Sequence, residues 1–190
     1  MRGLIVGLSG LVLVVGATNA KSAVTSVLGN VSNWQDAGID VTAGQMLYIN
    51  SSGTVYRGFG PGGPSSPTNP DGLGPDADGS ARHAQAIAPD AVEWSLVAKV
   101  GGTEQVGTGT FVPEDYTGRG AGFVGSSYCR PMTTSGRLYF AFNDALVFGD
   151  NSGTFSVNVG VVPEPSTLVL LSIGAIGLLA YVWRRRRPAA

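Results

Sequence analysis

Residues 135–162, SGRLYFAFNDALVFGDNSGTFSVNVGVV, constrain the fold more than any other stretch of the chain. Leu138, Phe140 and Phe142 alternate with Tyr139, Ala141 and Asn143, and further on Phe155, Val157 and Val159 alternate with Ser156, Asn158 and Gly160. Apolar side chains at period two turn one face of an extended chain toward a core, so both runs are predicted as half-buried strands joined as a hairpin. The connection between them carries Asn143, Asp144, Asp150, Asn151 and Ser152, two carboxylates, two carboxamides and a hydroxyl within eleven residues. Such residues are common in turns. They are also the donors that calcium takes, in sets of roughly six to eight oxygens, and a loop can bring them to one point.

The rest of the chain agrees with an all-β domain. Twenty-nine glycines and eleven prolines, with 13% charged residues, suit short strands and many turns better than a helical bundle. Further strands are predicted at 46–50 and 54–56, either side of a Ser51-Ser52-Gly53 turn, and more weakly at 106–112 and 121–124. A central strand is predicted over 91–100, with Trp94, Leu96, Ala98 and Val100 on one face. Residues 58–79, GFGPGGPSSPTNPDGLGPDADG, read as loop throughout, with an acidic turn at Asp76-Ala77-Asp78-Gly79 that lacks the later ligands of an EF-hand.

Charge and chemistry narrow the function classes. Residues 21–165 hold seven basic and thirteen acidic side chains, a formal charge of −6, with no basic cluster that would suit nucleic acid. His83 is the only histidine and reads as a surface residue. No Ser/His/Asp set, phosphate-binding loop or spaced carboxylate pair is present, so no enzyme is expected. Cys129, the sole cysteine, has no partner for an internal disulfide and is expected as a buried thiol.

The Tyr139–Asp144 segment, Gly149-Asp150-Asn151-Ser152-Gly153 and Phe155–Gly160 resemble the C-terminal part of the PA-I-type galactophilic lectins, with weaker likeness from residue 27 onward through Trp34, Gly38–Val41, Gly44-Gln45 and Leu96–Gly101. That family consists of calcium-dependent galactose binders built as a small β-sandwich of jelly-roll or galactose-binding-like type. The resemblance implies calcium ligands at Tyr56 and Val147, through backbone carbonyls, and at Asp144, Asp150 and Asn151, through side chains. It implies sugar contacts from Tyr56, Asn69, Asp71, Asp144 and Asp150. The chain departs from the family pattern at Asn69, where a histidine is usual, at Gly72, where a glutamine is usual, and at Asp150, which replaces an asparagine.

The termini carry the remaining signals. Residues 1–20 have one basic residue, an apolar run from Leu4 to Val15 and small residues up to Ala20, the layout of a secretory signal peptide. After the lectin-like segment 21–162 comes a tail at 163–187, consisting of Pro163-Glu164-Pro165, eighteen uncharged residues from Ser166 to Trp183, and Arg184–Arg187. The apolar stretch is expected to cross a membrane as a helix, with the arginines on the cytoplasmic side. This tail resembles the PEP-CTERM sorting signal of Gram-negative bacteria, on which an exosortase acts at Pro-Glu-Pro. The whole chain therefore reads as an exported surface or matrix protein, transiently anchored, whose partners are an exosortase and a galactose-like sugar or exopolysaccharide. The alternative is a structural matrix protein with the same sandwich and no sugar ligand.

Overall fold

A computed structural model describes residues 20–58, 65–75, 77–145, 147–162 and 167–185. Residues 1–19 of the predicted signal peptide at 1–20, and the Pro163-Glu164-Pro165 motif, lie outside the described residues.

Residues 20–164 form one compact unit. Its strands are β1 (Lys21–Leu28), β2 (Gln35–Val41), β3 (Met46–Arg57), β4 (Ser66–Thr68), β5 (Leu73–Gly74), β6 (Ala77–Asp78), β7 (Leu96–Val100), β8 (Thr110–Phe111), β9 (Ser127–Pro131), β10 (Gly136–Phe142) and β11 (Ser152–Val162). Among the described residues, one sheet runs β1-β11-β3-β4 with β9 also on β3, and a second runs β2-β10-β7-β8. All of these pairings are antiparallel. Strands β5 and β6 form a separate small hairpin.

The two sheets bury one core between them. Val27, Leu47, Ile49, Val55, Phe155, Val157 and Val159 come from the first sheet, and Ile39, Leu96, Ala98, Leu138, Phe140 and Phe142 from the second. Phe142 and Phe155 meet across the layer at 6.0 Å between ring centroids, tilted by 61°. An aromatic pair of this kind contributes about 0.5–1.5 kcal/mol beyond the area it buries.

The architecture is the expected sandwich, but the expected hairpin is not one. Strand β10 lies between β2 and β7, whereas β11 lies between β1 and β3. Both strands already have their two edges filled, so their apolar faces meet through side chains across the core and the 143–151 connection crosses from sheet to sheet. Nor is β10 half-buried. Tyr139 and Ala141 on its outer face are covered by Trp34, Ile87, Ala88, Val92 and Phe123, which form a second apolar cluster.

Other boundaries move for local reasons. The turn predicted at 51–53 is absent, because β3 runs through it in unbroken register with β11 from Met46↔Val162 to Tyr56↔Ser152. Gly53 permits this with φ 109, and a Cβ there would stand 2.5 Å from the Thr154 carbonyl oxygen. Strand β7 begins only at Leu96, since Trp94 has φ 62 and breaks the extended run. The 106–112 strand shrinks to β8, and 121–124 contributes a single bridge between Val97 and Phe123. Within the supposed 58–79 loop, β4 extends the first sheet and β5-β6 forms its own hairpin. Cys129 is exposed, not buried, because on the edge strand β9 it shares the outward face with Tyr48 while Tyr128 points into the core.

In the C-terminal unit, α1 spans Thr167–Arg185, with Ile173, Ile176, Leu178, Leu179, Tyr181, Val182 and Trp183 exposed. Among the described residues no helix is long and apolar enough to cross a membrane.

Candidate functional site

At the end of β10 the chain is fixed by Asn143, which is fully buried. Its amide nitrogen donates to the carbonyls of Ala88, Ala91 and Val92, at 3.1, 3.3 and 2.9 Å, and its side-chain oxygen accepts the Ala88 N–H at 2.8 Å. Its backbone accepts from Trp94 N–H at 2.6 Å and donates to the Ser95 carbonyl at 2.9 Å. Asn143 is thus engaged in holding the 88–95 segment.

The next residue is the centre of the site. Asp144 is 9% exposed. Its Oδ1 accepts the Ala145 N–H at 2.7 Å and its Oδ2 accepts from Asn151 Nδ2 at 2.6 Å. Burial pushes its carboxyl above the usual aspartate range and the charge of Asp150 adds to that, against the Asn151 and Ala145 hydrogen bonds and Arg57, which pull it down.

A single 3-10 turn at Phe148–Asp150 returns the chain to Asn151, the residue before β11. The Asn151 amide links three segments. Its nitrogen donates to the Gly29 carbonyl at 3.2 Å as well as to Asp144, and its oxygen accepts the Gly58 N–H at 3.3 Å. Asp150 lies directly against Gly58, where a Cβ would stand 2.5 Å from its carboxyl carbon and from Oδ2. The absence of a side chain at Gly58 is what lets the Asp150 carboxylate pack over the end of β3.

Three residues not foreseen from the sequence join this cluster. Arg57, at the end of β3, is 3% exposed, and its guanidinium carbon stands 3.6 Å from the ring centroid of Trp94. Glu93 is buried, which raises its carboxyl, and the Asp144 charge raises it further while His83 and Arg57 act the other way. Trp94 itself sits in the left-handed region, a conformation rare for a bulky side chain and common at binding and catalytic sites. Nothing in the linear sequence marks these residues, since they reach the site from β3 and from the turn before β7.

The sequence-derived residues separate into two groups. Asp144, Asp150 and Asn151 are brought together. Tyr56 lies opposite Ser152 and Pro67 on the outward face of the first sheet, 44% exposed, and Val147 is 54% exposed at the entrance to the 3-10 turn. Asn69 and Asp71 belong to another turn. The Asn69 side-chain oxygen accepts the N–H groups of Asp71 and Leu73, both at 3.0 Å. The Asp71 carboxylate pairs with Arg119 at 3.1 Å and accepts the Ser126 N–H and hydroxyl at 2.9 and 2.7 Å. Among the described residues no group of three or more His, Cys, Asp or Glu side chains is placed to hold a metal.

Residues 161–187 match the family model of the PEP-CTERM protein-sorting motif. Among solved structures, the chain is similar to the N-terminal domain of EclA, described as a PllA-like lectin, with a TM-score of 0.47 and 20% identity over 73% of this chain and 95% of that one. No curated protein matches the chain. The chain carries a PEP-CTERM protein-sorting motif at 161–187, which marks it for exosortase-dependent export and surface sorting in a Gram-negative bacterium.

Proposed function

We propose that residues 21–162 form a calcium-dependent carbohydrate-binding domain, without catalytic activity, that the sorting tail delivers to the cell surface or its polysaccharide matrix. The observation that carries this reading is the convergence of Asp144, Asp150 and Asn151 at one end of the sandwich, with the Asp144 carboxyl raised by its burial and, to a lesser extent, by the charge of Asp150. Two carboxylates and a carboxamide brought to one loop are oxygen ligands of the kind calcium takes. Asp144, Asp150 and Asn151 would hold the ion by side chains, and Tyr56 and Val147 by backbone carbonyls. Calcium, when bound, supplies positive charge and coordination positions for two vicinal sugar hydroxyls.

The chain's own groups do the remainder. The carboxylates of Asp144 and Asp150 accept the sugar O–H protons as charge-assisted hydrogen bonds. Asn151 orients Asp144 and ties β1 and β3 to the loop. Export would begin with the leader at 1–20.

Calorimetric titration with galactose and with neutral polysaccharide, with calcium present and then with a chelator, tests the reading. Calcium-dependent heat is expected, and binding that persists in the chelator would overturn the mechanism. A second reading, a structural surface protein with no sugar ligand, is favoured by one observation: Asp71 is consumed by Arg119 and Ser126, and Asn69 by its own turn. A calcium-induced rise in melting temperature with no glycan heat would select it.

A further inference from the structure

An open cleft of about 640 Å³, lined among others by Pro75, Ala77, Asp78, Ser80 and Ala81, shares Trp94 with the Asp144 cluster. Its volume falls within the range of about 300–1,000 Å³ common to small-ligand sites. We propose that this cleft is a second saccharide subsite, taking one neutral pyranose residue of an oligosaccharide whose neighbouring residue sits at Asp144. The inference rests on the carbohydrate-binding reading and adds to it a ligand class, a chain of at least two sugars.

The lining has the chemistry of such a subsite. An indole and small apolar walls match the C–H face of a pyranose, and Trp94 is held by the Arg57 guanidinium stacked on its ring. At φ 62 the position would favour glycine, and a glycine would leave this wall of the cleft bare. The polar side is Asp78 with Ser80. Asp78 Oδ1 accepts the Ser80 N–H at 2.9 Å and its hydroxyl at 2.6 Å, contacts that hold the carboxylate ionised and in place as an acceptor for sugar hydroxyls. Among the described lining residues the only charged side chain is Asp78, and an ionised carboxylate there disfavours phosphorylated, sulfated or uronic-acid residues.

The cleft and the Asp144 cluster are joined through the backbone. The Trp94 N–H donates to the carbonyl of Asn143, which immediately precedes Asp144. Arg57 both stacks on Trp94 and acts on the Asp144 carboxyl.

The test uses the full chain in calcium, titrated with a panel of neutral hexoses and their homodisaccharides, on wild type, Trp94→Gly and Ala77→Phe. Trp94→Gly relieves the left-handed backbone while removing the ring, and Ala77→Phe fills the cleft with Trp94 left in place. In wild type the preferred disaccharide is expected to bind about tenfold or more tighter than its monosaccharide. Both variants are expected to bring that ratio to near one. Equal wild-type affinity for the two, or a ratio retained in either variant, would overturn the subsite while monosaccharide binding upheld the first site. Silence of wild type across the panel would overturn the carbohydrate reading and the subsite with it.

Discussion

Gly58 illustrates how much of the site depends on single positions. It has no backbone need to be glycine, yet a Cβ would stand 2.5 Å from the Asp150 carboxyl carbon. Gly58→Ala is therefore expected to displace Asp150 and weaken calcium binding by about tenfold, with little change in the calcium-free melting temperature; titration calorimetry with calcium checks it. Asp36 offers a case governed by pH. Arg137 bonds it at 2.6 and 2.9 Å and holds its carboxyl below the ordinary value of 3.8. A lowered carboxyl stabilises the fold above its unfolded value, and that stability is lost as the pH falls through the lowered one. Both side chains are about a third exposed, at 35% and 40%, so solvent screens the pair. Asp36→Asn should cost under about 1 kcal/mol at pH 7, with the difference vanishing in strong acid; urea melts at the two pH values decide. At this scale the sequence is legible where site residues share one loop, as Asp144, Asp150 and Asn151 do. It is silent on Arg57, Glu93 and Trp94, whose side chains meet that loop only after three separate segments have packed.

At the level of elements, two buried polar side chains organise the connections that the period-two pattern cannot predict. Asn143 pins the 88–92 segment over the outer face of β10. Lys99, on β7, does the same for the glycine-rich 101–109 loop. It is 1% exposed, and its ammonium donates to the carbonyls of Thr103, Gln105 and Thr108 at 2.6, 2.9 and 2.8 Å. The rings of Trp34 and Tyr139 flank it at 4.9 and 5.4 Å. Lys99→Met would remove the donor these three carbonyls share, with only the Thr108 hydroxyl left to serve those of Thr103 or Gln105, and is expected to cost about 2–3 kcal/mol, with faster amide exchange confined first to 101–109 and measurable by hydrogen exchange. These same coverings explain the misread strands. Alternation located β10 and β11 because their inward faces are apolar, but it treated their outer faces as solvated and their short separation as a hairpin. The pairing was decided instead by which strands filled each edge, information that lies in β1, β2, β3 and β7. Trp94 was placed on a strand by its spacing from Leu96, and the left-handed turn that removes it depends on the Asn143 contact.

For the molecule as a whole, a compact sandwich at 20–164 is followed by a sorting tail at 161–187 whose identity is linear and so was fully legible. Replacing Pro163-Glu164-Pro165 by three alanines is expected to leave the domain folded but unsorted, so that unprocessed protein accumulates in the cell; fractionation and mass analysis of the tail would show it, and normal surface delivery would contradict it. The domain's role depends on whether the Asp144 cluster works as a cation-dependent site. The most direct measurement is thermal unfolding of the wild type and Asp144→Ala, each with calcium and with a chelator. Calcium is predicted to raise the wild-type melting temperature by several degrees, the shift expected for about 1–3 kcal/mol of linkage, and to leave Asp144→Ala unchanged. An equal shift in both proteins, or none in the wild type, would contradict the account.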